Sequence, residues 1–481
     1  MAHYYAIFFT GLITWLLISR LLITKLEALG VVAMNKKLRV TEIFAILLGA
    51  IIGWGCFMLP GEKFLPNSGV INTSIGLFLG TMSIIVIERS YRYMMQQNIN
   101  EGGEFSYVLN FLGKKNAFVV GWFLALAYIS LIPLNAIAFP LVFDKLSPGC
   151  LDFCYLYNIA GQDIYLGHIL VSLIIILFFM YFNIRGVKQS GMVQFVIIAA
   201  LVICSISVVV GMLFTADLDK FYNAYIGGYK FSFGEIAQVF AITPFLFIGF
   251  DAIPQLVNDM NISRRKASNI ALITLVIGML TYITLNFATA LAFTPSELEG
   301  VKWALGEGVM RHLGYVGFVL LIIALGGAVS GGINGFMICS SKLLSSMSRA
   351  EILPAFLQKK GKHDTNIYII LIVSLIGFIA CFFGRNVVIW IVDMCSFGAA
   401  ITYFYVCFTT FKISKKISEK IYSGFGLAFS LIFCLLLIIP YSPAFLSKYA
   451  LIFLAVWIGI GLIFFIKLII KEKKKASVEN I

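Results

Sequence analysis

The sequence predicts an all-α polytopic membrane protein, and three observations carry that prediction. The chain has 481 residues, 60% of them hydrophobic and only 12% charged, a balance foreign to soluble domains of this length. About a dozen stretches of roughly 20 apolar residues are each long enough to cross ~30 Å of hydrocarbon. Two of these stretches are interrupted. GAIIGWGCFMLPG (49–61) places Gly53 and Gly55 inside a membrane-length segment, and TPFLFIGFDAIP (243–254) places Pro244 and Pro254 on either side of Gly249 and Asp251. Non-helical backbone survives at membrane depth only where it is buried in protein or lines a cavity. A pair of broken helices at corresponding places in two halves of a chain is the sequence pointer to a secondary transporter.

Taken in order, helices are predicted near 41–65, 69–93, 117–143, 163–184 and 190–214, then near 233–257, 269–293, 315–346, 367–383 and 387–411, with two more near 422–440 and 449–470. The first and sixth carry the breaks, and each opens a group of five. Residues 34–214 and 215–411 therefore read as two five-helix repeats, and 412–481 as two appended helices with a basic tail. The glycines of the first break are two apart and do not share a face, unlike the four-residue spacing of small-residue packing seams. An apolar run over 4–23 precedes this core. Residues 1–33 read either as an extra helix with Met1 outside or as a mis-assigned start, with Met34 the natural beginning. A cleaved signal peptide fits poorly, because no basic segment precedes the run and no small-residue cleavage site follows it closely.

The net charge of +13 is explained by topology rather than by nucleic acid. If Met34 to Val40 is cytoplasmic, alternate loops on that side hold 26 of the Lys and Arg residues and the opposite loops hold eight. The positive-inside rule then places both ends of the core in the cytoplasm, as in a bacterial-type plasma membrane protein. Most of the nine cysteines lie in apolar helices as small packing residues. Cys150 and Cys154 fall in a predicted outer loop, where a local disulfide is one reading if the compartment oxidises. A metal site is disfavoured there because no histidine stands near them in sequence. The four histidines, His3, His168, His312 and His363, lie apart from one another. No residue cluster suggests an enzyme, a resident metal or a cofactor.

The breaks define a site by physics alone. An unwound segment frees helix-end N–H groups that attract an anion, and frees carbonyls that attract a cation. A zwitterionic amino acid or related amine satisfies both. The candidate binding residues are Ile52, Gly53, Trp54, Gly55 and Cys56 in the first break, Thr243, Phe245, Ile248 and Gly249 in the second, and Asn135, which follows Pro133 in the third helix. For Asn135 an interhelical hydrogen bond competes with a site role.

Four segments together resemble the amino acid–polyamine–organocation (APC) superfamily of permeases. GAIIGWGCFMLPG is similar to the family's first-helix signature. NEGGEFSYVLNFLG (100–113) is similar to the segment after its second helix, FLFIGFDAI (245–253) to its sixth, and SSKLLSSMSRAEILPAFLQK (340–359) to the end of its eighth helix and the following loop. The resemblance implies the leucine-transporter-like 5+5 inverted repeat with two extra C-terminal helices. It implies that the backbone at Ile52 to Gly55 holds a carboxylate, that carbonyls near Phe245 and Ile248 hold an ammonium, and that Phe245 closes over the substrate. The sequence departs from the family pattern at Trp54, where a small or hydroxyl residue is usual. A Trp there either fills the pocket or stacks on an aromatic or cationic ligand.

Coupling stays open at this level. The lysine that some relatives carry in the fifth helix is replaced by Leu201. Sodium would need oxygens from the eighth helix, where Ser330 and Asn334 of GGAVSGGING (326–335) are candidates, against simple helix–helix hydrogen bonding. Asp251 and Asp393 are ionisable residues at membrane depth and default to functional hypotheses. A helix-capping role competes for Asp251, and a structural role for Asp393. Glu88, beside Arg89 and Arg92, reads as solvated or paired. Proton-coupled uptake and substrate exchange are both consistent with this pattern, with the lipid bilayer, the small substrate and a proton as partners and the oligomeric state open. A sensor with little transport is the rival from another class, and a light subunit joined through Cys150 or Cys154 is a third reading.

Overall fold

The computed structural model describes residues 39–97, 102–159, 161–185, 191–257, 260, 262–361, 365–384 and 386–479, without side chains at 191–197, 386–389 and 474–479. The expected N-terminal extension, 1–33, lies outside these residues. Among them, ten helices are long and apolar enough to cross a membrane, and two shorter apolar helices, Phe233–Leu246 and Ile367–Cys381, occupy the remaining predicted segments. The chain is an all-α polytopic integral membrane protein.

The first span is α1 (Val40–Ile51) followed by α2 (Trp54–Leu59), with a non-helical Ile52 (φ −86°, ψ 68°) and an extended Gly53 between them. Past α2 the helix widens to a π turn over Pro60–Phe64, where Pro60 provides no N–H for a regular ladder. It ends at Gly69, whose φ is +61°. Then follow α3 (Ile71–Gln97), α4 (Gly103–Leu112), α5 (Lys114–Ala136) and α6 (Ala138–Leu146). A small antiparallel hairpin, β1 (Tyr155–Ile159) with β2 (Gln162–Tyr165), leads into α7 (Leu166–Arg185) and α8 (Gly191–Thr215). The second half opens with α9 (Leu218–Tyr225), the broken pair α10 (Phe233–Leu246) and α11 (Ala252–Leu256), and α12 (Arg264–Ala292). It continues with α13 (Ala304–Arg349), α14 (Ile367–Cys381) and α15 (Asn386–Ile413), and closes with α16 (Ile417–Ile438) and α17 (Lys448–Glu479).

Three elements are additions to the sequence reading. The hairpin and the short α4 and α9 stand where loops were expected. The eighth span also begins earlier than expected. Its helix starts at Ala304 and kinks at Gly314, where φ is +61° and ψ −155°.

Burial sorts the spans into a centre and a rim. In the most apolar stretch of the first span, 83% of residues are buried inside the protein, against 17% for α17. The rim is nevertheless fastened. Trp122 of α5 and Trp457 of α17 stack with centroids 4.7 Å apart, and each indole N–H donates to the other's backbone carbonyl, at 3.0 and 3.2 Å. A Cβ at Gly461 would meet the Trp122 Nε1 at 2.5 Å, so glycine is what admits the ring.

Candidate functional site

The two breaks meet. The helix restarting at Trp54 has first-turn N–H groups with no intrahelical acceptor. Asn135 takes the first: Trp54 N donates to Asn135 Oδ1 at 3.1 Å, while Asn135 Nδ2 donates to Leu131 O at 2.7 Å. Asn135 therefore spans both readings, an interhelical hydrogen bond made directly on the break. In the second break, Phe247 N donates to Thr243 O and Ile248 N to Phe245 O, each at 3.2 Å. Gly249 then turns the chain with φ +130°, a conformation side chains rarely adopt. A Cβ on it would lie 2.7 Å from Ala50 Cβ and 3.1 Å from Ile51 N. Across the contact, a Cβ on Gly55 would meet Tyr282 Oη at 2.8 Å and a Phe245 ring carbon at 3.5 Å. Ile52, Trp54, Cys56, Phe245 and Ile248 are all buried. The Trp54 indole N–H has no hydrogen-bond partner.

Thr243 departs from its expected place. A Cβ on Gly80 of α3 would overlap its side chain, and Thr243 Oγ1 donates to Phe240 O at 2.6 Å, so the side chain packs on the second span while the Thr243 carbonyl serves the break. Asn334 likewise faces elsewhere, accepting from Asn183 Nδ2 at 2.9 Å on the fourth span. Ser330 is buried. The first and eighth spans touch through glycine, since a Cβ on Gly331 would lie 3.2 Å from Gly49 Cα. Leu201 is fully buried in α8.

Beyond the break on the α2 side, Lys63 of the π turn forms an ion pair with Asp393 of α15, their side chains 18% and 11% exposed. The pair lines a cavity of about 200 Å³ with Phe64, Ser68, Val239 and Ile242. Asp393 is thus placed by a cation that the sequence reading did not connect to it. A more exposed counterpart is Lys220 with Glu297 at 2.8 Å, their side chains 41% and 43% exposed. Lys220, with the Thr294 N–H, holds the Glu297 carboxyl down at about 2.

On the other side of the break, Asp251 occupies the N-cap position of α11 but does not cap it. Its Oδ1 accepts from Gly249 N at 2.7 Å, closing the turn itself. Gln255, Glu104, Tyr91, Tyr128 and Tyr403 are buried around it. Tyr128 Oη donates to Asp251 O at 3.4 Å. Glu104 and Gln255 were missed by sequence reasoning, although Glu104 is the acidic residue of the EGGEFSY segment. Glu88 is neither solvated nor paired with an arginine. It is 2% exposed and accepts from Ser268 Oγ at 2.5 Å, while Arg89 pairs with Glu419.

Cys150 and Cys154 are free thiols. Burial, with Asp144 and Asp152 beside it, pushes the Cys150 thiol up. A histidine does approach this loop in space: His168 Nε2 lies 3.1 Å from Asp144 and 3.6 Å from Asp152.

The description "Amino acid permease" belongs to the family model that matches residues 38–464. The chain is 25% identical over 348 residues to human large neutral amino acids transporter small subunit 2, covering 68% of this chain and 60% of that protein. It is 24% identical over 338 residues to mouse Asc-type amino acid transporter 1, with 68% and 61% covered. An arginine/ornithine antiporter of Pseudomonas aeruginosa is 21% identical over 340 residues, with 69% and 67% covered. The matched region thus spans about three-fifths of the length of the first two relatives.

Proposed function

The chain belongs to the amino acid permease family, and from that premise we propose that it is a secondary transporter moving amino acids or related amines by alternating access. The observation that carries the reading is the direct contact of the two helix breaks at Gly249 and Ala50. It gathers helix-start donors and turn carbonyls in one buried place, the arrangement that suits a zwitterion. In this reading the N–H groups of Gly55 and Cys56 take the carboxylate, since Asn135 already holds that of Trp54. Carbonyls of the Phe245–Gly249 turn take the ammonium, and the Phe245 ring, against Gly55, closes the pocket. Two five-helix repeats, 34–214 and 215–411, rock about this contact. Under the positive-inside rule the Lys63–Asp393 end faces outward and the Glu104 end faces the cytoplasm.

Exchange is the favoured mode. The named relatives include an arginine/ornithine antiporter, and the fifth-span position equivalent to a coupling lysine is Leu201. The test is reconstitution of the full chain into liposomes loaded with a mixed amino acid pool. Uptake of labelled amino acid that requires internal substrate supports exchange. Uptake from empty liposomes without any gradient, or none under any condition, overturns it. Trp54→Ser is expected to shift the preferred ligand toward larger side chains, and an unchanged ligand profile in a thermal-shift screen removes Trp54 from the pocket.

A further inference from the structure

The connection between the third and fourth spans gathers three metal-ligating side chains well away from the breaks. Asp144 stands in the last turn of α6, Asp152 in the turn that follows it, and His168 in the first turn of α7. His168 Nε2 lies 3.1 Å from Asp144 Oδ1 and 3.6 Å from Asp152 Oδ1. One donor atom from each residue lies within 4.8 Å of the other two. His168 is 24 residues from Asp144 in the chain, which is why no such cluster shows in the sequence. The backbone holds the three together. Leu166 N donates to Cys154 O at 3.0 Å, and a Cβ on Gly167 would fall 2.2 Å from Leu151 O. Glycine at 167 therefore lets the loop lie directly on the start of α7. The Tyr165 ring meets the His168 ring edge-on at 6.0 Å, and Ser172 Oγ donates to His168 O at 3.1 Å. The cluster carries surplus negative charge. Lys145, next to Asp144 in the chain, turns instead to Glu307 at 3.3 Å. Among the described residues no Lys or Arg pairs with Asp144 or Asp152. Even a protonated His168 leaves one carboxylate uncompensated.

We propose that Asp144, Asp152 and His168 form a binding site for a divalent transition metal of the zinc class, which ties the end of the third span to the start of the fourth. The site stands apart from the transporter reading and does not depend on it. Donor atoms around a tetrahedral zinc ion at ordinary bond lengths are about 3.3–3.6 Å apart. The two histidine–carboxylate separations straddle that range, so small side-chain shifts admit the ion. On binding, the ring proton resides on Nδ1, Nε2 turns its lone pair on the metal, and the metal replaces the hydrogen shared with Asp144. Two carboxylates balance the charge of the ion. Water completes the fourth position, reached past the exposed Asp152. The imidazole selects against magnesium and calcium, which take oxygen donors in larger number. Cys150 lies in the same loop, but its thiol is turned to Phe143 O at 3.7 Å and stands outside the donor set.

The experiment uses the full chain purified in detergent, without a polyhistidine tag and with its thiols kept reduced. Equilibrium dialysis against micromolar Zn²⁺ is expected to leave about one metal per chain. The same zinc is expected to raise the thermal unfolding midpoint by a few degrees, and millimolar Mg²⁺ or Ca²⁺ to do neither. Co²⁺ in place of zinc is expected to give the visible absorption of a four-coordinate ion without a near-ultraviolet thiolate band. His168→Ala and Asp152→Asn are each expected to weaken zinc binding by about tenfold or more. Asp152→Asn changes an exposed side chain, so it reads the site even if His168→Ala fails to fold. Cys150→Ser with Cys154→Ser is expected to leave affinity and stoichiometry unchanged. No zinc retained at micromolar concentration overturns the site. So does equal binding by wild type and the site variants, or binding that is lost with the two cysteines.

Discussion

At one end of the path through the first and sixth spans, a lysine meets an aspartate. At the other, a glutamate and an aspartate are both fully buried. Lys63–Asp393 is complete as it stands, because each charge has its opposite and the pair lines a cavity from which water can solvate it. Glu104 and Asp251 share their sign and lie where no water-sized exposure remains. The difference concerns what opens each end. Separating the first pair needs two charges to find other partners, which a zwitterion's own carboxylate and ammonium can be. The second end is held by neutral donors, Gln255 Nε2 on Glu104 and the Gly249 N–H on Asp251, rather than by an opposite charge.

That contrast predicts opposite responses to removing charge. Asp393→Ala leaves Lys63 half-buried and unpaired, and is expected to cost about 3 kcal/mol in chemical unfolding. The double change Lys63→Met with Asp393→Leu is expected to recover most of this loss. If the double variant is as unstable as the single one, the Lys63–Asp393 pair is not held by charge. Gly249→Ala strikes the junction between the ends. With φ at +130° and Ala50 Cβ at 2.7 Å, the added methyl is expected to cost about 2 kcal/mol by overpacking and strain, and to abolish exchange in liposomes. Asp251→Asn keeps an oxygen for the Gly249 N–H and discards a buried charge, so stability is expected to stay within about 1 kcal/mol of wild type at neutral pH. A loss as large as that of Asp393→Ala would erase the distinction between the ends. The smallest effect belongs to the exposed Lys220–Glu297 pair. Glu297 sits at about 2, below its ordinary 4.5. Its contribution is therefore present above about pH 4.5 and lost as pH falls through about 2. Glu297→Gln is expected to shift stability at pH 7 by no more than about 0.5 kcal/mol, because solvent screens it.

The spans and both breaks were legible because lipid leaves the backbone few choices. Twenty apolar residues must be helix, and Gly53 or Gly249 inside such a run must be sheltered. Asn135 was legible as a candidate because a polar side chain at that depth needs a partner. Rotation about a helix axis was not legible. The Thr243 hydroxyl turns back on Phe240 O and Asn334 meets Asn183, and periodicity is blind to such choices when almost every face is apolar. Glu104 was hidden for another reason. Its segment reads as a loop after the second span, and only folding tucks α4 under α11 so that a loop-like acid becomes a fully buried carboxylate bonded to Gln255. The Lys63–Asp393 pair joins residues 330 apart, a distance that one sequence cannot bridge.

The paired indoles of Trp122 and Trp457 bear on how this molecule is made. Their partners stand 335 residues apart, so the α5 half of the clasp emerges during synthesis long before its counterpart. The acceptor of the Trp122 indole N–H and the glycine that admits its ring both come from α17. Of the described spans, α17 is thus the last to reach its place, and it closes the clasp on α5. A chain that stops short of α17 holds both helix breaks and their contact at Gly249 and Ala50, but lacks the clasp that fastens the rim to α5.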